Sequence, residues 1–407
     1  MGERLISLVG IAAIIGIAVA FSTNRRAIRF RVVGSAFALQ AAIAALVLYV
    51  PQGKAAIQWL SNGVQAIVNY SNAGIEMVFG NLAAIEGFSF AVRVLPLIVF
   101  FSSLMAVLYH MRIMQILVQI FGGALQFAIG TKPVESLNAA ANVFVGQTES
   151  PLVVKPYLKN LTDIQVFTIM VSGLASIAGT VLAAYASMGV RLDYLLAASF
   201  MAAPGGLLMA KLMMPDDPAE AGEKHAPLVE AEDSHHENVI LAAANGAQVG
   251  VRLAVNIGAM LIAFVALIAL FNGIVGGLGN MVGIENLSLE RILGLIFAPL
   301  MYLLSVPWAE AQTTGALFGE KLILNEFVGF LHMGQIVDTL SPRAEAVATF
   351  SLCGFANLSS IAILLGGLGS LIPEKHAVIG RFGLKAVLAG SLSNLMSAAL
   401  ASLLIVF

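Results

Sequence analysis

Three polar residues, Gln147, Thr148 and Glu149, lie side by side in the segment VGQTESPLVVKPYL, between hydrophobic stretches. A second carboxylate, Glu326, follows Asn325 in LILNEFVGF, which is also largely apolar. An amide combines a hydrogen-bond donor with an acceptor, and a carboxylate accepts strong bonds from hydroxyl groups. The two segments therefore predict a binding site for a neutral solute that is rich in hydroxyl and other hydrogen-bonding groups.

Each carboxylate has a simpler interpretation when it is taken alone. Glu149 or Glu326 could cap a helix or lie near the edge of a membrane. Two carboxylates in matching apolar segments, each next to an amide or hydroxyl side chain, favour a shared site instead. An ionisable residue at membrane depth is costly and is retained where it faces a cavity or a partner.

The composition decides the class of protein in which these residues must be placed. The chain of 407 residues is 59% hydrophobic and only 11% charged, and its mean hydropathy is +0.92. Soluble domains contain about 25% charged residues. The sequence therefore predicts an all-α polytopic membrane protein. The net charge of −2 argues against a nucleic-acid partner, and the single cysteine, Cys353, excludes an intrachain disulfide.

Apolar runs of spanning length predict about eight transmembrane helices. They are expected at residues 4–22, 33–50, 91–109, 163–187, 192–212, 253–275, 346–368 and 384–406. Assigning the loops with most Lys and Arg residues to the cytoplasm satisfies the positive-inside rule and places both termini outside. Lys54, Arg191, Lys321 and Arg343 are exceptions to this assignment.

Residues 115–160 and 306–345 fit no span, because Gly, Pro, Lys and Glu interrupt their apolar character. Non-helical backbone at membrane depth is tolerated only inside the protein or around a water-filled cavity. Both stretches are therefore predicted to be re-entrant helical hairpins. Each is followed by a span with a polar interruption, GLASIAGT at 173–180 or GFANLSSI at 354–361. This repeated order predicts an inverted repeat, as in secondary transporters.

The repeat suggests a division of the chain into a scaffold and a transport domain. The predicted units are scaffold helices at 1–114, a first repeat at 115–212, an acidic cytoplasmic loop at 213–252, a scaffold helix and an interfacial helix at 253–305, and a second repeat at 306–407.

The interrupted spans add further polar side chains. An asparagine such as Asn357 rarely improves packing within a span, and Ser360 lies on nearly the same helix face. For Ser359 the preferred interpretation is close helix packing, which small and hydroxylated residues allow. Asn142 precedes the expected tip of the first hairpin, and Ser176 lies in the first interruption. Hard cations prefer oxygen ligands of this kind, so these two residues indicate an ion site.

The motifs GQTESPLVVKPYL, LNEFV and CGFANLSSIAILLGGLG resemble those of the concentrative nucleoside transporters, and the similarity extends from about residue 90 to the end of the chain. The resemblance implies a homotrimer in the lipid bilayer of the bacterial inner membrane that imports nucleosides with a cation gradient. Sodium is favoured over the proton because Asn142 and Ser176 are both present.

The family's pattern also implies a role for each site residue. The expected substrate-binding residues are Gln147, Thr148, Glu149, Val181, Asn325, Glu326, Phe355, Asn357 and Ser360. The first hairpin would meet the nucleobase, with Glu149 acting through water, while Val181 and Phe355 would pack against base and sugar. Glu326, Asn357 and Ser360 would bind the ribose hydroxyls. The sodium ligands would come from Asn142, Val145, Ser176 and Ile177.

Three other functions are compatible with parts of this pattern. A proton-coupled symporter would use the same pocket with a different ion. A channel or facilitator for small polar solutes could also use inverted hairpins. An intramembrane enzyme could use two carboxylates as an acid and a base, but the sequence has no recognisable nucleophile or metal motif. No enzymatic activity and no organic cofactor are therefore expected.

Overall fold

The structure is a computed structural model that describes residues 2–84, 90–217, 238–281 and 283–405. The described residues are helical, with turns between the helices and no strand. The predicted acidic loop lies in part, at residues 218–237, outside the described residues. The α-helices are α1 (Gly2–Ala20), α2 (Phe30–Leu48), α3 (Pro51–Phe79), α4 (Leu95–His110), α5 (Ile113–Ile129), α6 (Pro133–Ala141), α7 (Asp163–Ala175), α8 (Gly179–Ser187), α9 (Leu192–Met213), α10 (Val239–Met281), α11 (Leu289–Leu303), α12 (Trp308–Ile323), α13 (Glu326–Ile336), α14 (Pro342–Leu352), α15 (Ser359–Gly366), α16 (Leu368–Leu371) and α17 (His376–Leu404).

The helices confirm the predicted membrane fold. Within the described part of the chain, six helices are long and apolar enough to cross a membrane, or seven if the bent pair α11 and α12 counts as one span. Of the eight predicted spans, the first is a shorter apolar helix at Leu5–Ala20. The seventh is divided between α14 and α15.

Two helices differ from the sequence prediction. Helix α3 has 29 residues, whereas no element was predicted there. Its polar residues, such as Lys54 and Gln58, are spread along the helix and keep its hydrophobicity below that of a span. Helix α10 begins at Val239 and has 43 residues. Residues 239–252 are therefore helical, although the sequence placed them in the acidic loop.

The first hairpin is shorter than predicted. Residues 113–129 form the separate helix α5, which ends at Gly130 in the left-handed region with φ 81°. The hairpin then begins with α6, where Pro133 occupies the first turn, and returns through a 3₁₀ helix at Ser150–Asn160. In the structure the residues from 113 to 129 are therefore a helix of their own, and α6 is the first helix of the hairpin.

The second hairpin lies close to its predicted position. Helices α11 and α12 meet at an angle of 117°, so that α12 turns away from α11 and begins the hairpin. Helix α12 ends at Ile323, and α13 starts after Asn325. The Asn325 side chain caps α13 by accepting a hydrogen bond from the backbone N–H of Val328 at 3.0 Å.

Both predicted interruptions coincide with breaks between helices. The first span divides into α7 and α8, with residues 176–178 between them, and the other divides into α14 and α15, with residues 353–358 between them. Each broken span is followed by a long helix, α9 or α17. The predicted order of hairpin, interrupted span and further span therefore occurs twice.

A buried ion cluster attaches the first hairpin to α9. The ammonium of Lys211 lies 2.6 Å from Glu135 Oε1 and 2.5 Å from Asp216 Oδ1. All three residues are buried. Glu135 also accepts a hydrogen bond from the backbone N–H of Lys132, which caps the start of α6. The cluster therefore holds the entry to the first hairpin in place.

We expect Lys211→Met to lower the thermal stability of the protein markedly. Removing the ammonium leaves two buried carboxylates without their partner, and breaking a buried ion pair in this way costs about 3–5 kcal/mol. Thermal unfolding in detergent measures the effect. Lys155→Met is the control, because Lys155 is exposed and its replacement should change the melting temperature little. Equal melting temperatures for both variants would contradict the structural role of the cluster.

Candidate functional site

Each hairpin tip contacts the break of the span that follows it. In the first repeat the backbone N–H of Gly179 donates to Phe144 O at 3.0 Å. A side chain at position 179 would collide with this carbonyl, because its Cβ would lie 2.6 Å from Phe144 O. In the second repeat the N–H of Leu358 donates to Leu322 O at 3.1 Å. The backbone groups freed by the breaks are thus partly satisfied by the hairpins.

The two broken spans also contact each other. The N–H of Phe355, in the second break, donates to the carbonyl oxygen of Ser176, in the first break, at 3.1 Å. Ser176 has extended backbone angles, with φ −110° and ψ 168°. The two repeats therefore meet at their least regular segments, as a site at the repeat interface requires.

A series of hydrogen bonds, called the polar chain below, connects both hairpins with both broken spans. It begins where Gln147 Nε2 donates to Ser360 Oγ at 3.3 Å. The N–H of Ser360 donates to Asn357 Oδ1 at 2.8 Å, and Asn357 Nδ2 donates to Glu326 Oε2 at 3.1 Å. The hydroxyl of Tyr185 donates to Glu326 Oε1 at 3.0 Å. Residues from four separate segments therefore form one continuous polar surface.

Glu326 is the acidic centre of the polar chain. Its exposed fraction is only 6%, and burial of an unpaired carboxylate would be very costly. The carboxylate receives one hydrogen bond at each oxygen, from Tyr185 and Asn357. It is also the first residue of α13, where the positive end of the helix dipole favours a negative charge. The fold therefore stabilises an acceptor group that can bind hydroxyl groups of a ligand.

Glu149 has a different environment from Glu326. It retains solvent-accessible surface, and its carboxylate folds back over Gly146, where an added Cβ would lie 2.5 Å from Oε2. The methyl group of Thr148 packs against Gly367, between α15 and α16. Gln147 therefore belongs to the polar chain, Thr148 packs against the second broken span, and Glu149 faces water.

Asn142 lies at the end of α6, below the tip of the first hairpin. Its exposed fraction is 1%, and its Nδ2 donates to Asn138 O at 2.9 Å. Its Oδ1 is buried without a hydrogen-bond partner, and so is the Oε1 of Gln147. Gly173, in the last turn of α7, packs against both residues, and a Cβ at Gly173 would lie 3.7 Å from Asn142 Oδ1. A buried oxygen without a donor is costly and is a suitable ligand for a hard cation.

The surroundings of Asn142 fit an alkali cation. Val145, Ser176 and Ile177 are all buried in the same region of the hairpin tip and the first break. The hydroxyl of Ser176 donates to Ser172 O at 3.2 Å and leaves its oxygen lone pairs available. Within the described ranges, no group of three or more His, Cys, Asp and Glu residues could hold a metal ion. The amide, hydroxyl and backbone oxygens of this region are neutral groups of the kind that hard cations accept as ligands.

The remaining expected residues lie in the same region. Val181 is buried in the first turn of α8, and Asn325 is buried at the second hairpin tip. Phe355 is partly buried in the second break. Tyr185 is not among the residues predicted from the sequence, although it lies one helical turn after Val181 and therefore on the same face of α8. The contacts of Lys321 and Asn394, which hold the broken ends together, are not predicted from the sequence either.

Comparison with known proteins shows the family to which the chain belongs. A family model described as the C-terminus of Na+ dependent nucleoside transporters matches residues 194–402, and the model of their N-terminus matches residues 9–82. A nucleoside recognition (Gate) model matches residues 91–191. The chain belongs to the Na+-dependent nucleoside transporter family. It is a transporter of the concentrative type and not an enzyme, as the sequence predicted.

Similar proteins from bacteria and from human support this assignment. The nucleoside permease NupC of Helicobacter pylori is 49% identical over 415 residues, which cover 99% of this chain and 98% of the permease. An uncharacterized transporter of Haemophilus influenzae is 52% identical over 413 residues, which cover 98% of both chains. The human sodium/nucleoside cotransporter 1 is 36% identical over 417 residues, which cover 99% of this chain and 64% of that protein.

Solved structures agree with the fold. The transporter CNTnw in an inward-facing, substrate-bound state is 49% identical and has a TM-score of 0.94, with coverage of 99% of this chain and 98% of that chain. A variant of CNTnw in an outward-facing state has a TM-score of 0.95 with the same identity and coverage. The arrangement of hairpins and broken spans is therefore that of a concentrative nucleoside transporter.

Proposed function

We propose that this transporter imports nucleosides into the cell by sodium-coupled symport. The observation that supports the choice of ion is the buried Oδ1 of Asn142, which has no hydrogen-bond partner. A bound sodium ion would satisfy this neutral amide oxygen directly, whereas a proton would bind at a carboxylate such as Glu149 or Glu326 and leave the amide oxygen without a partner. Membership in a Na+-dependent family supports the same choice.

Coupling between ion and nucleoside would act through the tip of the first hairpin. Asn142 and Gln147 are five residues apart in the tip, and both pack against Gly173. An ion bound at Asn142 would order the tip and hold Gln147 in the polar chain. A nucleoside bound to the polar chain would in turn stabilise the ion-bound tip, because coupling between two sites is reciprocal.

The substrate would lie along the polar chain. Gln147, Thr148 and Glu149 would bind the nucleobase, the exposed Glu149 through water. Glu326, Asn357 and Ser360 would bind the ribose hydroxyls, with Asn325 beside them. Val181 and Phe355 would pack against base and sugar. The carbonyls of Val145, Ser176 and Ile177 would complete the ion site with the side chains of Asn142 and Ser176.

The proposal includes a moving transport domain, formed by the two hairpins and the broken spans, within a homotrimer. Both chain termini would lie on the outer, non-cytoplasmic side of the bacterial inner membrane. Helix α10 supports a scaffold role, since Val255, Ile262 and Leu270 are exposed along it and would contact lipid or neighbouring protomers. Alternating access would carry the loaded site past this scaffold.

Uptake by proteoliposomes with separately imposed gradients tests the proposal. We expect labelled uridine to accumulate above its external concentration when sodium is higher outside, and to stop accumulating when sodium is equal on both sides. Accumulation that followed a proton gradient without sodium would establish the proton-coupled alternative. Uptake that only equilibrated under every gradient would indicate a facilitator.

A further inference from the structure

Lys321 lies inside the protein, in the last turn of α12 and therefore next to the second hairpin tip. Its exposed fraction is 0%. Its ammonium donates to Ser351 O at 2.7 Å and to Asn394 Oδ1 at 2.6 Å. Both partners are acceptors, and a lysine ammonium has three donors and no acceptor. The side chain is therefore held where a positive charge is surrounded by oxygen atoms.

Asn394 extends this contact to both broken spans. Its Nδ2 donates to Ala175 O at 2.6 Å and to Cys353 O at 2.8 Å. Ala175 is the last residue of α7, and Cys353 follows the last residue of α14. Lys321 and Asn394, called the lysine junction below, thus bind carbonyl groups at the ends of both half-helices. These ends have a partial negative charge and carbonyls without helical partners.

In each repeat, a side chain at the end of the first hairpin helix lies beside the last turn of the broken span, but the two side chains differ in chemistry. In the first repeat, Asn142 at the end of α6 lies beside Gly173 in the last turn of α7 and presents an oxygen without a donor. In the second repeat, Lys321 at the end of α12 lies beside Ser351 in the last turn of α14 and presents an ammonium. The first position thus presents a bare amide oxygen, whereas the second position contains a positively charged group of the chain itself.

We infer that the ammonium of Lys321 takes the place of a bound cation in the second repeat. It neutralises the end of α14, and through Asn394 it fixes the end of α7 next to the proposed ion ligand Ser176. Because the lysine side chain fills this position, the proposed exchangeable ion binds in the first repeat and not at the corresponding position of the second. Lys321 is thus a positioning residue that excludes a second exchangeable sodium ion from this position of the second repeat. This inference rests on the proposed sodium coupling.

The lysine junction also affects the substrate carboxylate. Lys321 and Glu326 are only five residues apart, on the two sides of the second hairpin tip. A positive charge near the tip attracts the carboxylate of Glu326, which accepts hydroxyl groups of the ligand. A neutral residue at position 321 should weaken nucleoside binding unless another cation enters the vacated space.

The test compares the sodium dependence of uptake in wild type, Lys321→Met, Lys321→Gln and Lys321→Arg. Glutamine keeps hydrogen-bond donors without the charge, and arginine keeps the charge. We expect the Hill coefficient for sodium to rise from about one in the wild type to about two in both neutral variants. In both neutral variants, the nucleoside concentration that gives half-maximal uptake should rise at least tenfold in low sodium. It should return to the wild-type value in high sodium. Lys321→Arg should keep the wild-type Hill coefficient for sodium.

Lys375→Met is the matched control. Lys375 forms an ion pair with Asp163 at 2.7 Å, away from the hairpin tips, so its loss should leave the order in sodium unchanged. Neutral variants at position 321 with wild-type sodium dependence would overturn the inference. The inference would also be overturned if the neutral variants failed to fold at every sodium concentration, because the fold would then need the lysine itself. A wild type that transports without sodium would instead refute the proposed function.

Discussion

Glu326→Gln should reduce nucleoside uptake by about a hundredfold or more in kcat/KM. Hydrogen bonds to charged groups contribute about 1.5–3 kcal/mol each, and Glu326 is placed to accept such bonds from ribose hydroxyls. The amide would also present a donor to Tyr185 or Asn357, both of which already donate to this carboxylate. Two donors would then face each other in a buried site. Initial rates of labelled uridine uptake in proteoliposomes measure the loss.

The control for this experiment is Glu345→Gln. Glu345 is a partly buried carboxylate on α14, outside the polar chain, and its replacement should preserve most of the uptake. Size-exclusion chromatography of both variants should give the wild-type elution volume, which separates loss of binding from loss of assembly. Near-normal uptake by correctly assembled Glu326→Gln would exclude the carboxylate from ribose recognition.

The central features of the site could be predicted because they violate the apolar pattern around them. The QTE segment, Asn325 with Glu326, and the interruptions at Ser176 and Asn357 each place polar groups in apolar surroundings. A buried polar group needs a partner, so the sequence already required these segments to meet. The structure brings Gln147 and Glu326 together through Ser360 and Asn357.

Other features were missed because hydropathy does not detect them. Helix α3 alternates apolar and polar residues, and such a helix has no strongly apolar window. Helix α5 falls within the predicted first hairpin because glycines interrupt its apolar run, whereas in the structure it is a separate helix that ends at Gly130. A search for whole spans therefore finds the number of strongly apolar helices better than the boundaries of amphipathic ones.

Lys321 is the clearest example of a residue whose role depends on distant contacts. The sequence placed it among the exceptions to the positive-inside rule, as if its charge lay in a loop. In the structure it is buried and bound to Ser351 and Asn394, which lie 30 and 73 positions away. A charge that is neutralised within the protein carries no information about the orientation of a loop. No local pattern could have paired these three residues.

The second large expected effect concerns Asn142, the central residue of the proposed sodium site. Asn142→Leu should raise the half-saturating sodium concentration for uridine uptake at least tenfold. Leucine has a similar volume but no oxygen, so the ion would lose one ligand within a buried site. Uridine should also bind more weakly at low sodium, since the two sites are coupled and each ligand changes the affinity for the other by the same factor. Sodium titrations of uptake at several uridine concentrations measure both effects.

Asn142→Asp separates ion binding from the structural role of the side chain. Aspartate keeps an oxygen in place of Oδ1 but cannot donate to Asn138 O, the bond that Asn142 Nδ2 makes at 2.9 Å. If the oxygen matters because it binds the ion, Asn142→Asp retains a steep sodium dependence while Asn142→Leu loses it. If the bond to Asn138 matters instead, both variants lose activity at every sodium concentration. That second pattern would remove Asn142 from the ion site, and the orphaned Oδ1 would no longer support sodium coupling.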